Sequence, residues 1–98
     1  SGFTKYVYAH FGISLPRTAY EQGYSGPGTK ITNASDLKVG DLVFFNTVND
    51  SDLSDHATIY IGNGQIIHAS SGSARKIVIS SLSQSYYKTH YSWGRHVV

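Results

Sequence analysis

The first stretch of the chain places Phe3, Tyr6, Val7, His10 and Phe11 at i, i+3, i+4, i+7 and i+8, the spacing of one helical stripe. Gly12 follows where a helix would stop. Ile13, Leu15 and Pro16 make an extended apolar link. Thr18 can then cap a short second helix, with Glu21 three residues on completing a capping box. Three glycines and Pro27 with few apolar anchors predict a surface loop from Gly23 to Asn33, and 34–39 reads as a connector. The period changes at Asp41 to Asn46, where Leu42, Val43, Phe44 and Phe45 form a continuous apolar run, the pattern of a buried strand. A polar loop with three Asp covers 47–55.

A hairpin is the clearest local signal: a strand at 57–61, a turn at Gly62-Asn63-Gly64, and a return strand from Gln65 to Ser70. A further strand is predicted at 75–79, a helical or irregular turn at 82–88, and a last strand at 91–98. One helix followed by about five strands argues for an α+β domain, with an antiparallel sheet packed against the N-terminal helix.

Register within the hairpin decides what shares a face. A three-residue turn sets Ile61 opposite Gln65, Ile59 opposite Ile67 and Ala57 opposite Ala69. This gathers the apolar residues on one side and His56, Thr58, Tyr60, Ile66, His68 and Ser70 on the other. His56 and His68 are then diagonal neighbours, about 7–8 Å apart at Cα and within reach of each other's rings. A two-residue Asn63-Gly64 turn reverses the parity and separates them. Two histidines on one face suit nucleophilic catalysis, which needs a base beside the nucleophile and a third group to orient that base. A zinc site would need a third His or Cys at ligand spacing, and none is offered, so no metal is expected. His10, His90 and His96 read as structural or surface residues.

Composition narrows the class. The 98 residues are 40% hydrophobic and 14% charged, enough for one packed domain spanning 1–98, with a net charge of +2. The basic residues are scattered, which gives no support for nucleic-acid binding. No apolar run is long enough for a membrane span. The chain has no cysteine, which excludes disulfides and thiolate metal sites within it.

Four segments, Ser1-Gly2-Phe3, Leu15-Pro16-Arg17, Gly40-Asp41-Leu42-Val43-Phe44-Phe45 and His56 to Ser70, together resemble the NlpC/P60 family of papain-like cysteine peptidases. The resemblance implies a papain-like fold in which the N-terminal helix packs on a five- to six-stranded antiparallel sheet. It implies no cofactor. The family motif Asp-Cys-Ser-Gly-Phe places the nucleophilic cysteine immediately before Ser1, the base at His56 and the third residue at His68. It further implies hydrolysis of peptidoglycan stem peptides at the D-γ-glutamyl–diamino acid bond, a secreted or cell-wall-associated protein, and further domains upstream in the parent. Ser1 and Arg17 become candidate substrate-cleft residues, Arg17 alternatively covering the helix junction. Ala19 stands where many members carry a Ser used in substrate contacts. Two other readings compete: a non-catalytic cell-wall binding module that kept the fold, and Ser1 acting as an N-terminal nucleophile.

Overall fold

A computed structural model describes residues 2–47, 51–69 and 76–97. Its elements are α1 (Gly2–Ala9), α2 (Ala19–Ser25), β1 (Thr29–Ile31), a 3₁₀ turn (Ala34–Asp36), β2 (Leu42–Phe45), β3 (His56–Gly62), β4 (Gln65–Ala69), β5 (Ile77–Ser81), α3 (Ser85–His90) and β6 (Tyr91–His96). The strands form one six-stranded sheet in the order β1-β6-β2-β3-β4-β5, every neighbouring pair antiparallel. The fold is α+β, as expected.

The central strand explains its own sequence. β2 hydrogen-bonds to β3 on one side and β6 on the other, and all four of its residues are fully buried. Alternation disappears because both faces of the sheet are covered. Leu42 and Phe44 join Tyr8, Leu15, Ala19, Ala57, Ile59 and Trp93 in a core beneath α1 and α2. Val43 and Phe45 join Leu37 and Ile66 in a second core, flanked by Tyr60, Leu82, Tyr87 and Tyr91. The second face was expected to be the polar one. Instead Thr58 and Ile66 are fully buried on it, under the 3₁₀ turn and α3.

The first helix buries a different stripe from the one its apolar residues suggest. Thr4 and Tyr8 are its buried residues, Phe3 and Val7 pack beside them, and Tyr6 and Phe11 stand in solvent. Hydrogen bonds explain the choice. The Thr4 hydroxyl donates to Gln22 Oε1 at 2.7 Å, and the Tyr8 hydroxyl donates to the Gly40 carbonyl. The stop is as expected: Gly12 adopts φ 75°, with Gly12 N–H donating to Ala9 O and Ile13 N–H to Tyr8 O, a Schellman closure. Thr18 caps α2 by accepting from Glu21 N–H at 3.1 Å.

The segment expected to be a surface loop contains β1, which pairs with β6 through Thr29–His96, Lys30–Arg95 and Ile31–Gly94. At its entry, Gly28 has φ 89° and a Cβ there would fall 2.1 Å from the His96 carbonyl oxygen. The chain's end is fastened again where His96 Nδ1 meets Asp41 Oδ1 at 2.6 Å, while Asp41 Oδ2 accepts from Lys38 N–H. His96 is thereby a structural residue.

The hairpin contains features of both anticipated turns. Gly62 pairs with Gln65 across a two-residue turn, with Asn63 at φ 52° and Gly64 at φ 70°, the positive pair that a type I′ turn requires. A register shift between Tyr60 and Gly62 then inserts a bulge, and Tyr60–Ile66 and Ile59–Ile67 pair as a three-residue loop would have set them. The expected Ile61–Gln65 pairing is corrected to Gly62–Gln65. The Ile59–Ile67 pairing stands.

Candidate functional site

His56 opens β3 opposite Phe45 of β2, and His68 lies on β4 opposite Val78 of β5. Because the bulge restores the parity of the ladder, both rings lie on the same face. His56 Nε2 and His68 Nδ1 are 3.0 Å apart, with ring centroids at 5.1 Å and planes at 81°. The structure thus brings together the two residues singled out from the sequence.

The environment is asymmetric. His68 is only 4% exposed. Its other nitrogen, Nε2, lies 2.9 Å from Ser80 Oγ and 3.3 Å from the Tyr87 hydroxyl. The rings of Phe45 and Tyr87 wall the pair: Phe45 stands 6.5 Å from His56 and 5.2 Å from Tyr87, and Tyr87 stands 5.7 Å from His68. Burial lowers the His68 pKa below its usual value. His56 is pushed down to about 4, by burial first and then by the neighbouring His68 charge. Both imidazoles are therefore neutral near pH 7. His56 Nδ1 makes no hydrogen bond to any described residue, so it is the nitrogen left for a group outside the pair. A neutral histidine braced from behind through one nitrogen, with the other open, can accept a proton and return it.

Arg17 is exposed on the segment joining α1 to α2. Ser1 lies outside the described residues. Ala19 is buried in the core beneath the helices, and its carbonyl accepts from the Ser54 hydroxyl at 2.6 Å. His90 is structural: its Nδ1 lies 2.7 Å from the Asn46 carbonyl oxygen, beside an open depression of about 310 Å³ that also includes Leu53, Ser92 and Trp93. That depression is at the same end of the sheet as His56, since Phe45 pairs with both His56 and Tyr91. Ser80 and Tyr87 were not anticipated. Ser80 could have been found only from the β4–β5 register, which sets Ile66 opposite Ser80. Among the described residues no group of three or more His, Cys, Asp or Glu side chains is arranged to hold a metal ion.

Known proteins share this arrangement of chain. The chain is 39% identical over its full length to "Murein DD-endopeptidase MepS/Murein LD-carboxypeptidase" of Escherichia coli strain K12, covering 48% of that protein. It is 44% identical over 94% of its length to "Gamma-DL-glutamyl hydrolase" of Bacillus subtilis, covering 20% of that protein. The chain thus spans half or less of the length of these relatives. Among solved structures, an NlpC/P60 family protein from Bacillus cereus superposes with a TM-score of 0.80 at 30% identity, covering 97% of this chain and 30% of that one. The model of the NlpC/P60 family matches residues 1–96, nearly the whole of the sheet and helices described above, and the chain belongs to the NlpC/P60 family.

Proposed function

We propose that this domain is the catalytic part of a peptidoglycan hydrolase that cleaves stem peptides through a cysteine immediately preceding Ser1, with His56 as base and His68 as its orienter. The observation that carries the reading is the 3.0 Å contact between His56 Nε2 and His68 Nδ1, with His56 Nδ1 left open. α1 begins at Gly2 and packs against β3 and β4, the strands that bear these histidines. The N-terminal end of that helix is its positive end, which favours a thiolate on a cysteine carried two residues ahead of Gly2.

In this mechanism His56 Nδ1 takes the thiol proton and the thiolate attacks the scissile carbonyl carbon. The tetrahedral oxyanion collapses, the C–N bond breaks, and protonated His56 gives its proton to the leaving amine. Water then loses a proton to His56 and attacks the thioester, releasing the acid and regenerating the thiol. The backbone N–H of the cysteine is the natural oxyanion donor. Ser1 and Arg17 are assigned to the substrate cleft.

The bond proposed is the D-γ-glutamyl–diamino acid bond, in keeping with the relative named as a gamma-DL-glutamyl hydrolase. The relative named as a murein DD-endopeptidase favours the cross-link as a second target. Such an enzyme works outside the cell or at its wall, joined to further domains. The test is to read the residue encoded before Ser1 and to alkylate it with iodoacetamide. A cysteine that reacts rapidly at neutral pH, and more slowly once His56 is replaced by Ala, supports the reading. Any other residue there defeats it and leaves a non-catalytic wall-binding module, which sacculus pull-down would detect.

A further inference from the structure

We infer that Ser80 is a positioning residue: its hydroxyl oxygen selects the tautomer of His68 that leaves Nδ1 bare to receive the His56 proton, against competition from Tyr87 for the same nitrogen. This deepens the proposed function and rests on His56 acting as base.

Each of the two imidazoles, when neutral, carries one proton. For His56 Nδ1 to accept a proton from a thiol, its own hydrogen must be on Nε2, donated to His68 Nδ1 at 3.0 Å. His68 then carries its hydrogen on Nε2 and needs an acceptor there. In the opposite arrangement His68 donates from Nδ1, His56 is protonated on Nδ1, and no lone pair faces outward. The group at His68 Nε2 decides between the two.

Two hydroxyls compete for that nitrogen, and they differ in kind. Ser80 Oγ is 2.9 Å away and the Tyr87 hydroxyl is 3.3 Å away. An aliphatic hydroxyl oxygen is the better acceptor of the two, whereas a phenol is the better donor because it is far more acidic (pKa about 10). Ser80 is half-buried, so its own hydrogen can turn to water while its oxygen accepts from His68. Tyr87 favours the reverse, donating to a bare Nε2 and forcing the His68 proton onto Nδ1. The shorter contact to Ser80 wins. The assignment also explains why a short edge strand matters to the site: β5 reaches it only through the Ile66–Ser80 and His68–Val78 register.

Long-range ¹H–¹⁵N correlation spectra of the labelled 98-residue chain, recorded above pH 7, read the tautomer without needing activity. The unsubstituted chain should hold His68 predominantly as the Nε2–H form. Ser80→Ala should move it predominantly to the Nδ1–H form, Ser80→Thr should restore the original, and Tyr87→Phe should leave it unchanged. A native His68 protonated on Nδ1, a Ser80→Ala chain with an unaltered tautomer, or a switch caused by Tyr87→Phe would each overturn the assignment. If Ser80→Ala does not fold, the native, Ser80→Thr and Tyr87→Phe spectra still decide. An absence of peptidase activity in the parent protein would defeat the proposed function while leaving the tautomer measurement standing.

Discussion

At the scale of single residues, the His56 side chain carries the sharpest physical consequence. Its pKa in the fold is about 4, below the ordinary histidine value of about 6.5. Below pH 6.5 the unfolded chain binds a proton that the folded chain refuses, so protonation favours unfolding. Stability is therefore complete above about pH 6.5 and declines as the pH falls toward 4, where His56 finally protonates in the fold. Urea titrations of this chain at pH 7 and pH 4.5 should give a lower midpoint at the acid pH, and His56→Gln should shrink the difference. An equal midpoint for the two pH values would show that His56 is not held neutral by the fold. Thr18 makes a smaller, independent contribution. Replacing it with Ala removes the acceptor for Glu21 N–H and should cost about 1 kcal/mol in a denaturant titration, with Thr18→Ser close to neutral.

At the scale of elements, the hairpin shows how local chemistry builds the site. The type I′ turn alone would place the two histidines on opposite faces, and the bulge after Tyr60 brings them back to one. The positive φ of Asn63 and Gly64 was legible in the Gly-Asn-Gly run, but the bulge was not, because it depends on how β3 sits between β2 and β4. β1 was missed for a similar reason. Its three residues have little apolar signal, and they become a strand because β6 offers an edge and Gly28 lets the backbone approach His96. Gly28→Ala meets a positive φ and the His96 carbonyl together, and should destabilise the fold by about 2 kcal/mol or more. Hydrogen exchange would locate the loss in β1 and the end of β6. On α1 the apolar spacing predicted the helix and its stop correctly and caught Phe3 and Val7 at the core, but it missed Thr4 and Tyr8, which are buried through hydrogen bonds that periodicity does not record. The histidine pair was readable from register, whereas Ser80 and Tyr87 approach it only in three dimensions.

At the scale of the molecule, a sheet covered on both faces sets the site at one end of its central strands. β2 is the shared wall of two cores, so Phe44→Ala should cost about 3–5 kcal/mol and disturb the helix-side core first. The same sheet fixes His56 beside Phe45 and leaves its Nδ1 without a hydrogen bond among the described residues, while α1 arrives against β3 and β4 with its N-terminal end at Gly2. That arrangement suits the proposed nucleophile ahead of the helix, with His68 buried, His56 half-buried and the two rings bonded to each other. The most direct test extends the chain upstream to include the residue before Ser1 and incubates it with purified muropeptides, with products identified by mass spectrometry. Scission of the stem peptide after D-γ-glutamate is expected, lost when the preceding cysteine is replaced by Ser or His56 by Ala. Intact muropeptides after incubation with the extended, folded protein would contradict it.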